Sequence, residues 1–209
     1  MAPREIWRYA ALGDSFTAGV ADESWADELA GALRARNPRL EYRNLAVTGA
    51  TCVEVAGQLD RAIAFRPELV TLVCGANDVL RSLRPDIDGC ADALDGMLGR
   101  LRRTLPDAAV AVATYPDFAR FMELGPRSRR RVSRGIAALN AAIRSVAWRH
   151  GVPCLELARH PHAGRRENFA GDGYHPSREG TRRTAAGFVR ALAHHFDIEA
   201  AVPALEEAL

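Results

Sequence analysis

Ser15 lies in Gly13-Asp14-Ser15-Phe16-Thr17-Ala18-Gly19, directly after a short apolar run, and is the first residue whose setting suggests chemistry. A hydroxyl is a weak nucleophile near neutral pH. It needs a base, a group that orients the base, and donors for the oxyanion that forms when it attacks an acyl carbon. Asp172-Gly173-Tyr174-His175-Pro176 offers the first two, with an aspartate three residues ahead of a histidine. In a tight turn that spacing lets the carboxylate reach Nδ1 of the ring and leaves Nε2 to face the serine. Pro176 fixes the backbone beside the base, and Ser177 is placed to cap a following helix. Three donors suit an oxyanion: the backbone N–H groups of Ser15 and Gly49, and the side-chain amide of Asn77. Glycine lets a backbone amide approach a substrate closely, and an amide side chain donates without competing for the proton. The chemistry this set predicts is acyl transfer through an acyl-Ser15, with activity rising with pH as His175 becomes neutral.

The elements that must position these residues alternate between apolar runs and helix-period stretches. Ile6–Leu12, Leu40–Val47, Leu69–Cys74, Ala108–Thr114 and Val152–Leu157 read as strands. Between and after them, helices are expected from Ser24 to Asn37, Thr51 to Phe65, Ala91 to Leu105, Arg127 to His150 and Ser177 to His195. Such alternation predicts a doubly wound parallel sheet with helices on both faces, in one domain spanning residues 1–209. Ligands in an open sheet of this kind bind beyond the carboxyl ends of the strands. Ser15, Gly49 and Asn77 follow strands one, two and three, and Asp172 and His175 follow strand five, so all five face one edge.

Gly13-Asp14-Ser15, Asn44 to Gly49, Gly75-Ala76-Asn77-Asp78 and Asp172-x-x-His175-Pro176 together resemble, in order, the four blocks of the SGNH hydrolase (GDSL esterase/lipase) superfamily. The resemblance covers residues 5 to 195 and leaves 196–209 outside it. It implies a flavodoxin-like three-layer α/β/α fold with strand order 2-1-3-4-5. It also implies cofactor- and metal-independent hydrolysis of esters or thioesters, with Ser15, Asp172 and His175 catalytic and Ser15, Gly49 and Asn77 as oxyanion hole. The family usually has leucine where this chain has Phe16. An α/β-hydrolase elbow is a poor match, because G-x-S-x-G would require glycine at position 17 and threonine stands there.

Composition sets limits on the remaining readings. Hydrophobic residues at 48% and charged ones at 26% describe an ordinary globular chain rather than a disordered one. The net charge of +2 gives no reason to expect a nucleic-acid partner. All 28 basic residues are arginine, which removes Schiff-base catalysis and the lysine-dependent phosphate loop. No secretory signal and no apolar run of roughly 20 residues is visible, so a cytoplasmic enzyme acting on a small-molecule acyl ester is expected, without stable membrane insertion; the oligomeric state is left open by the sequence, with a monomer slightly favoured. Cys52, Cys74, Cys90 and Cys154 read as buried free thiols. Phe118, Phe121 and Met122, in the loop after strand four, are candidates for an acyl pocket. Arg127, Arg129, Arg130, Arg131 and Arg134 read as a solvated helix face, and His160 and His162 as loop residues. Two rivals share the fold: an acyltransferase using the same site with an alcohol or sugar acceptor, and a flavodoxin-like cofactor-binding module. Asp14 would repel a cofactor phosphate, and the latter reading leaves Asp172 and His175 without a task.

Overall fold

The computed structural model describes residues 5–19 and 24–193, so segment 196–209 and the end of the last expected helix lie outside the described residues. Five strands, β1 (Arg8–Gly13), β2 (Glu41–Asn44), β3 (Leu69–Val73), β4 (Ala109–Ala113) and β5 (Cys154–Leu155), form one parallel sheet in the order β2-β1-β3-β4-β5. Among the described residues eight α-helices surround it: α1 (Ser15–Ala18), α2 (Trp25–Arg36), α3 (Cys52–Ala56), α4 (Leu59–Phe65), α5 (Ala76–Arg81), α6 (Ile87–Thr104), α7 (Pro126–His150) and α8 (Arg178–Leu192). This is the three-layer arrangement the sequence predicts.

Right-handed crossovers explain the layers. The step from β1 to β2 runs one way along the sheet and the step from β3 to β4 the other, so the intervening helices fall on opposite faces. On one face α2 packs on α8, with the Trp25 and Phe188 rings stacked at 4.4 Å. On the other, α6 packs on α7. The central strand β3 is buried at every position, as a continuous apolar run covered on both faces must be.

Several boundaries differ from expectation for local reasons. The helix expected from Thr51 to Phe65 is broken at Gly57-Gln58 into α3 and α4. The break turns the Gln58 side chain inward, where its amide bonds both backbone groups of Gly13 at 2.9 and 2.8 Å. Thr51 and Glu54 still form the reciprocal cap that starts α3. Strand β2 is shorter than expected, but Leu45 and Val47 go on donating to the Ala11 and Gly13 carbonyls, which carries Gly49 to the nucleophile's edge. At the opposite margin of the sheet β5 pairs with β4 over only two residues before Glu156 turns out to ion-pair with Arg144 at 2.8 Å.

The expectation of four free thiols is corrected. Cys52, at the start of α3, is bonded to Cys90 on α6, with their Cα atoms 5.5 Å apart. The Cys74 sulfur lies 3.4 Å from that of Cys52, and Cys74 and Cys154 remain free. The partners are 38 positions apart, a proximity created by packing α3 on α6 and invisible to spacing.

Candidate active site

Strand β1 ends at Gly13, whose φ of +154° and crowded surroundings exclude a side chain: a Cβ there would stand 2.3 Å from the Val73 carbonyl oxygen. The chain then turns into the one-turn helix α1 with Asp14 as its N-cap. Asp14 is fully buried. Its Oδ1 accepts the Phe16 N–H at 2.9 Å and its Oδ2 the Tyr115 hydroxyl at 3.2 Å. Burial, against the pull of these hydrogen bonds, pushes its pKa up to about 7. Ser15, itself buried, follows at the carboxyl end of the strand.

The base arrives from 160 residues away. Ser15 Oγ lies 3.0 Å from His175 Nε2, and His175 Nδ1 lies 2.6 Å from Asp172 Oδ2. The other carboxylate oxygen of Asp172 accepts the Tyr174 and His175 N–H groups at 2.9 and 3.0 Å, closing the turn that the three-residue spacing anticipates. Partial burial pushes the Asp172 carboxyl up, but the His175 ring and the two amides together hold it below the usual carboxylate range. Gly173, at φ +72°, lets this turn press on the Phe121 carbonyl, where a Cβ would stand 2.1 Å from the oxygen.

Gly49 adopts φ +82°, a conformation that favours glycine. Asn77 is buried in the first turn of α5, and its Nδ2 donates to the Ala50 carbonyl at 3.1 Å, tying the two loops together. That bond uses one of two amide hydrogens. Among the described residues, neither the Ser15 nor the Gly49 N–H has an acceptor. The structure thus brings Ser15, Gly49, Asn77, Asp172 and His175 to one edge of the sheet.

The aromatic candidates divide. Phe118 is fully buried, with its ring 5.8 Å from Phe16 and 5.1 Å from Tyr174, and offers no surface to a ligand. Phe121 and Met122 are half-buried next to the 172–175 turn. A separate apolar cavity of about 60 Å³ lies behind the site between Phe16, Leu155, Phe169 and Phe188, and neither Ser15 nor His175 lines it. Of the groups with metal-ligand character, the described residues offer Cys52, Asp78 and Cys90, within 4.8 Å of one another. Their two sulfurs are bonded to each other and Asp78 Oδ2 accepts the Cys52 N–H at 3.0 Å, so the group is occupied internally.

Sequence reasoning missed three residues that hold the nucleophile turn. Gln58 clamps Gly13 as described above. Asn140 clamps Tyr115 in the same way, through its N–H and C=O at 2.8 Å each, and Tyr115 in turn bonds Asp14. An amide on an otherwise apolar helix face was the one available signal.

The GDSL-like Lipase/Acylhydrolase family model matches residues 11–183. No curated protein matches the chain by sequence. Among solved structures, the chain is similar to the lipase/acylhydrolase of Enterococcus faecalis (22% identity, 90% of this chain and 95% of that one, TM-score 0.72). It is also similar to an acetyl-xylooligosaccharide esterase from Geobacillus (18% identity, 88% and 93%, TM-score 0.70). A third likeness is to the psychrotrophic esterase EstA of Pseudoalteromonas (18%, 90% and 97%, TM-score 0.67). At these identities the likenesses show the fold.

Proposed function

The chain belongs to the GDSL-like Lipase/Acylhydrolase family, and from that membership together with the site geometry we propose a serine esterase working through an acyl-Ser15 intermediate. The observation that carries the proposal is the unbroken chain Ser15 Oγ–His175 Nε2, His175 Nδ1–Asp172 Oδ2 at 3.0 and 2.6 Å. Ser15 Oγ attacks the acyl carbon as its proton passes to Nε2, and the carbonyl oxygen takes the negative charge. The N–H groups of Ser15 and Gly49 and the second Asn77 amide hydrogen hold that oxyanion; one such donor is typically worth about 3 kcal/mol of barrier. Collapse breaks the bond to the leaving alkoxide, which receives the proton from Nε2. Water, deprotonated by His175, then releases the acid and restores Ser15. Asp172 keeps the Nδ1–H tautomer in place and steadies the imidazolium.

The substrate in this reading is a small or lipid-like acyl ester in the cytoplasm, acted on by a single-domain enzyme, with Phe121 and Met122 as the half-buried wall nearest the base. Among the described residues no helix is long and apolar enough to cross a membrane. A panel of para-nitrophenyl esters of increasing acyl length, run beside Ser15→Ala, tests the proposal. Loss of turnover by at least about a thousandfold in the variant is expected; equal turnover by wild type and variant sinks the mechanism. An added alcohol acceptor that diverts the acyl group from water would instead mark a transferase.

A further inference from the structure

Arg81 ends α5, four residues after Asn77, and its guanidinium stands against the oxyanion loop. Its Nη2 is 2.7 Å from the point that a Cβ on Gly49 would occupy, so the cation covers the backbone position whose N–H we assign to the oxyanion. The side chain is exposed, and among the described residues it has no hydrogen-bond or ion-pair partner. The two carboxylates that feel its charge are engaged elsewhere. Glu54 accepts the Thr51 N–H and hydroxyl at 2.7 and 2.9 Å, and Asp78 accepts the Cys52 N–H.

The backbone on either side of Arg81 is held by another guanidinium: Arg131 Nη1 donates to the Val79 carbonyl at 2.8 Å and to that of Ser82. Arg131 also lines a cleft of about 420 Å³ with Arg127, Arg130 and Arg134. The Arg81 guanidinium is therefore an unpaired fork held beside the oxyanion loop.

We propose that Arg81 is a specificity-determining residue that binds a carboxylate or phosphate carried by the ester substrate. The substrate class is accordingly an anionic acyl ester rather than a neutral one. A guanidinium fork matches either oxyanion group in two parallel hydrogen bonds. This deepens the acyl-serine reading above and rests on it.

Two shape-matched pairs test it and separate the sources of the anion. Para-nitrophenyl butyrate against mono-para-nitrophenyl succinate places a carboxylate on the acyl side. Monobutyrylglycerol against its glycerol-phosphate counterpart places a phosphate on the alcohol side. In wild type, kcat/KM for the anionic member of at least one pair exceeds that of its neutral partner by about tenfold or more, mainly through KM, and the advantage shrinks as salt rises. Arg81→Gln collapses that ratio toward one, and Arg81→Lys restores part of it. A wild-type ratio near one in both pairs overturns the assignment, as does an Arg81→Gln loss that is equal for both members of a pair. Turnover that survives Ser15→Ala, or no turnover of any of the four esters by wild type, defeats the acyl-serine reading itself and the Arg81 assignment with it.

Discussion

Replacing Asp172 by asparagine is the sharpest test of how the base is held. The carboxylate does two things at once: Oδ1 accepts two backbone N–H groups at 2.9 and 3.0 Å, and Oδ2 accepts the Nδ1–H of His175 at 2.6 Å. An amide has one acceptor and one donor end and can serve only one side. If its oxygen stays with the backbone pair, its NH₂ faces Nδ1, which must then become the acceptor. The ring proton moves to Nε2, and Nε2 points an N–H at Ser15 Oγ from 3.0 Å, where it can no longer take the serine proton. If the amide flips, its NH₂ meets two backbone N–H donors and the turn opens. The first arrangement costs less, because it leaves every donor of the turn satisfied. Wrong-tautomer locking of a histidine base costs ~10⁴-fold in kcat, about 5 kcal/mol of barrier. Stability should change by no more than about 1–2 kcal/mol, since the site is partly exposed and the turn survives. Initial rates on a neutral para-nitrophenyl ester, beside thermal unfolding of the same samples, provide both numbers. A variant within tenfold of wild-type kcat refutes the assigned roles; equal losses of rate and fold would relocate Asp172 to a structural part.

Three further perturbations probe what lies beneath the site. Asp14, with a folded pKa of about 7 against 3.8, stays protonated in the fold over a window where the unfolded chain ionises, so its contribution is fully present below about pH 4 and is lost as pH rises through 7. Asp14→Asn should therefore flatten the stability–pH curve between pH 4 and 7 by on the order of 4 kcal/mol, and parallel urea midpoints for variant and wild type across that window would contradict it. Gln58→Leu leaves the buried Gly13 N–H unpaired, its carbonyl still accepting from Val47, and should cost roughly 1–3 kcal/mol while lowering kcat, readable by denaturation and initial rates; a neutral effect would mean the clamp is idle. Alkylation of the denatured, unreduced protein should label two thiols, Cys74 and Cys154, and Cys90→Ser should lower stability by up to about 4 kcal/mol through loss of loop closure; four labelled thiols would rule the bond out.

The fold and the cast of the site were legible because each leaves a local mark. Strand β3 is an apolar run, and Ser15, Gly49, Asn77 and His175 each follow the carboxyl end of a strand. The Asp172 turn was readable because three residues is the reach of a side chain back to its own backbone. What could not be read depends on contacts between distant segments. Nothing near Gln58 signals that its amide will meet Gly13, 45 positions earlier, and without that bond the stretch scans as one continuous helix. Phe118 scans as an exposed loop residue until Phe16 and Tyr174 close over it. Cys52 and Cys90 give no spacing signal, because their meeting depends on how α3 sits on α6.

The two halves of the site are held by different physics. The serine half is buried and pinned by side chains: Gln58 on Gly13, and Asn140 through Tyr115 on Asp14, so Ser15 has little freedom to move. The histidine half lies on the irregular chain between β5 and α8, and hydrogen bonds to its own backbone groups, one set of them from a guanidinium, hold it. Ala170 donates to the His175 carbonyl at 2.8 Å, Phe169 bridges Pro176, and Arg166 donates to the carbonyls of Phe169, Ala170 and Gly171. Gly173 then rests its bare Cα on the Phe121 carbonyl. Residues 121–122 therefore bear on the proposed base through their backbone, as the stop against which its turn is set. Any side chain at position 173 would push His175 and Ser15 apart while leaving the buried half of the site in place.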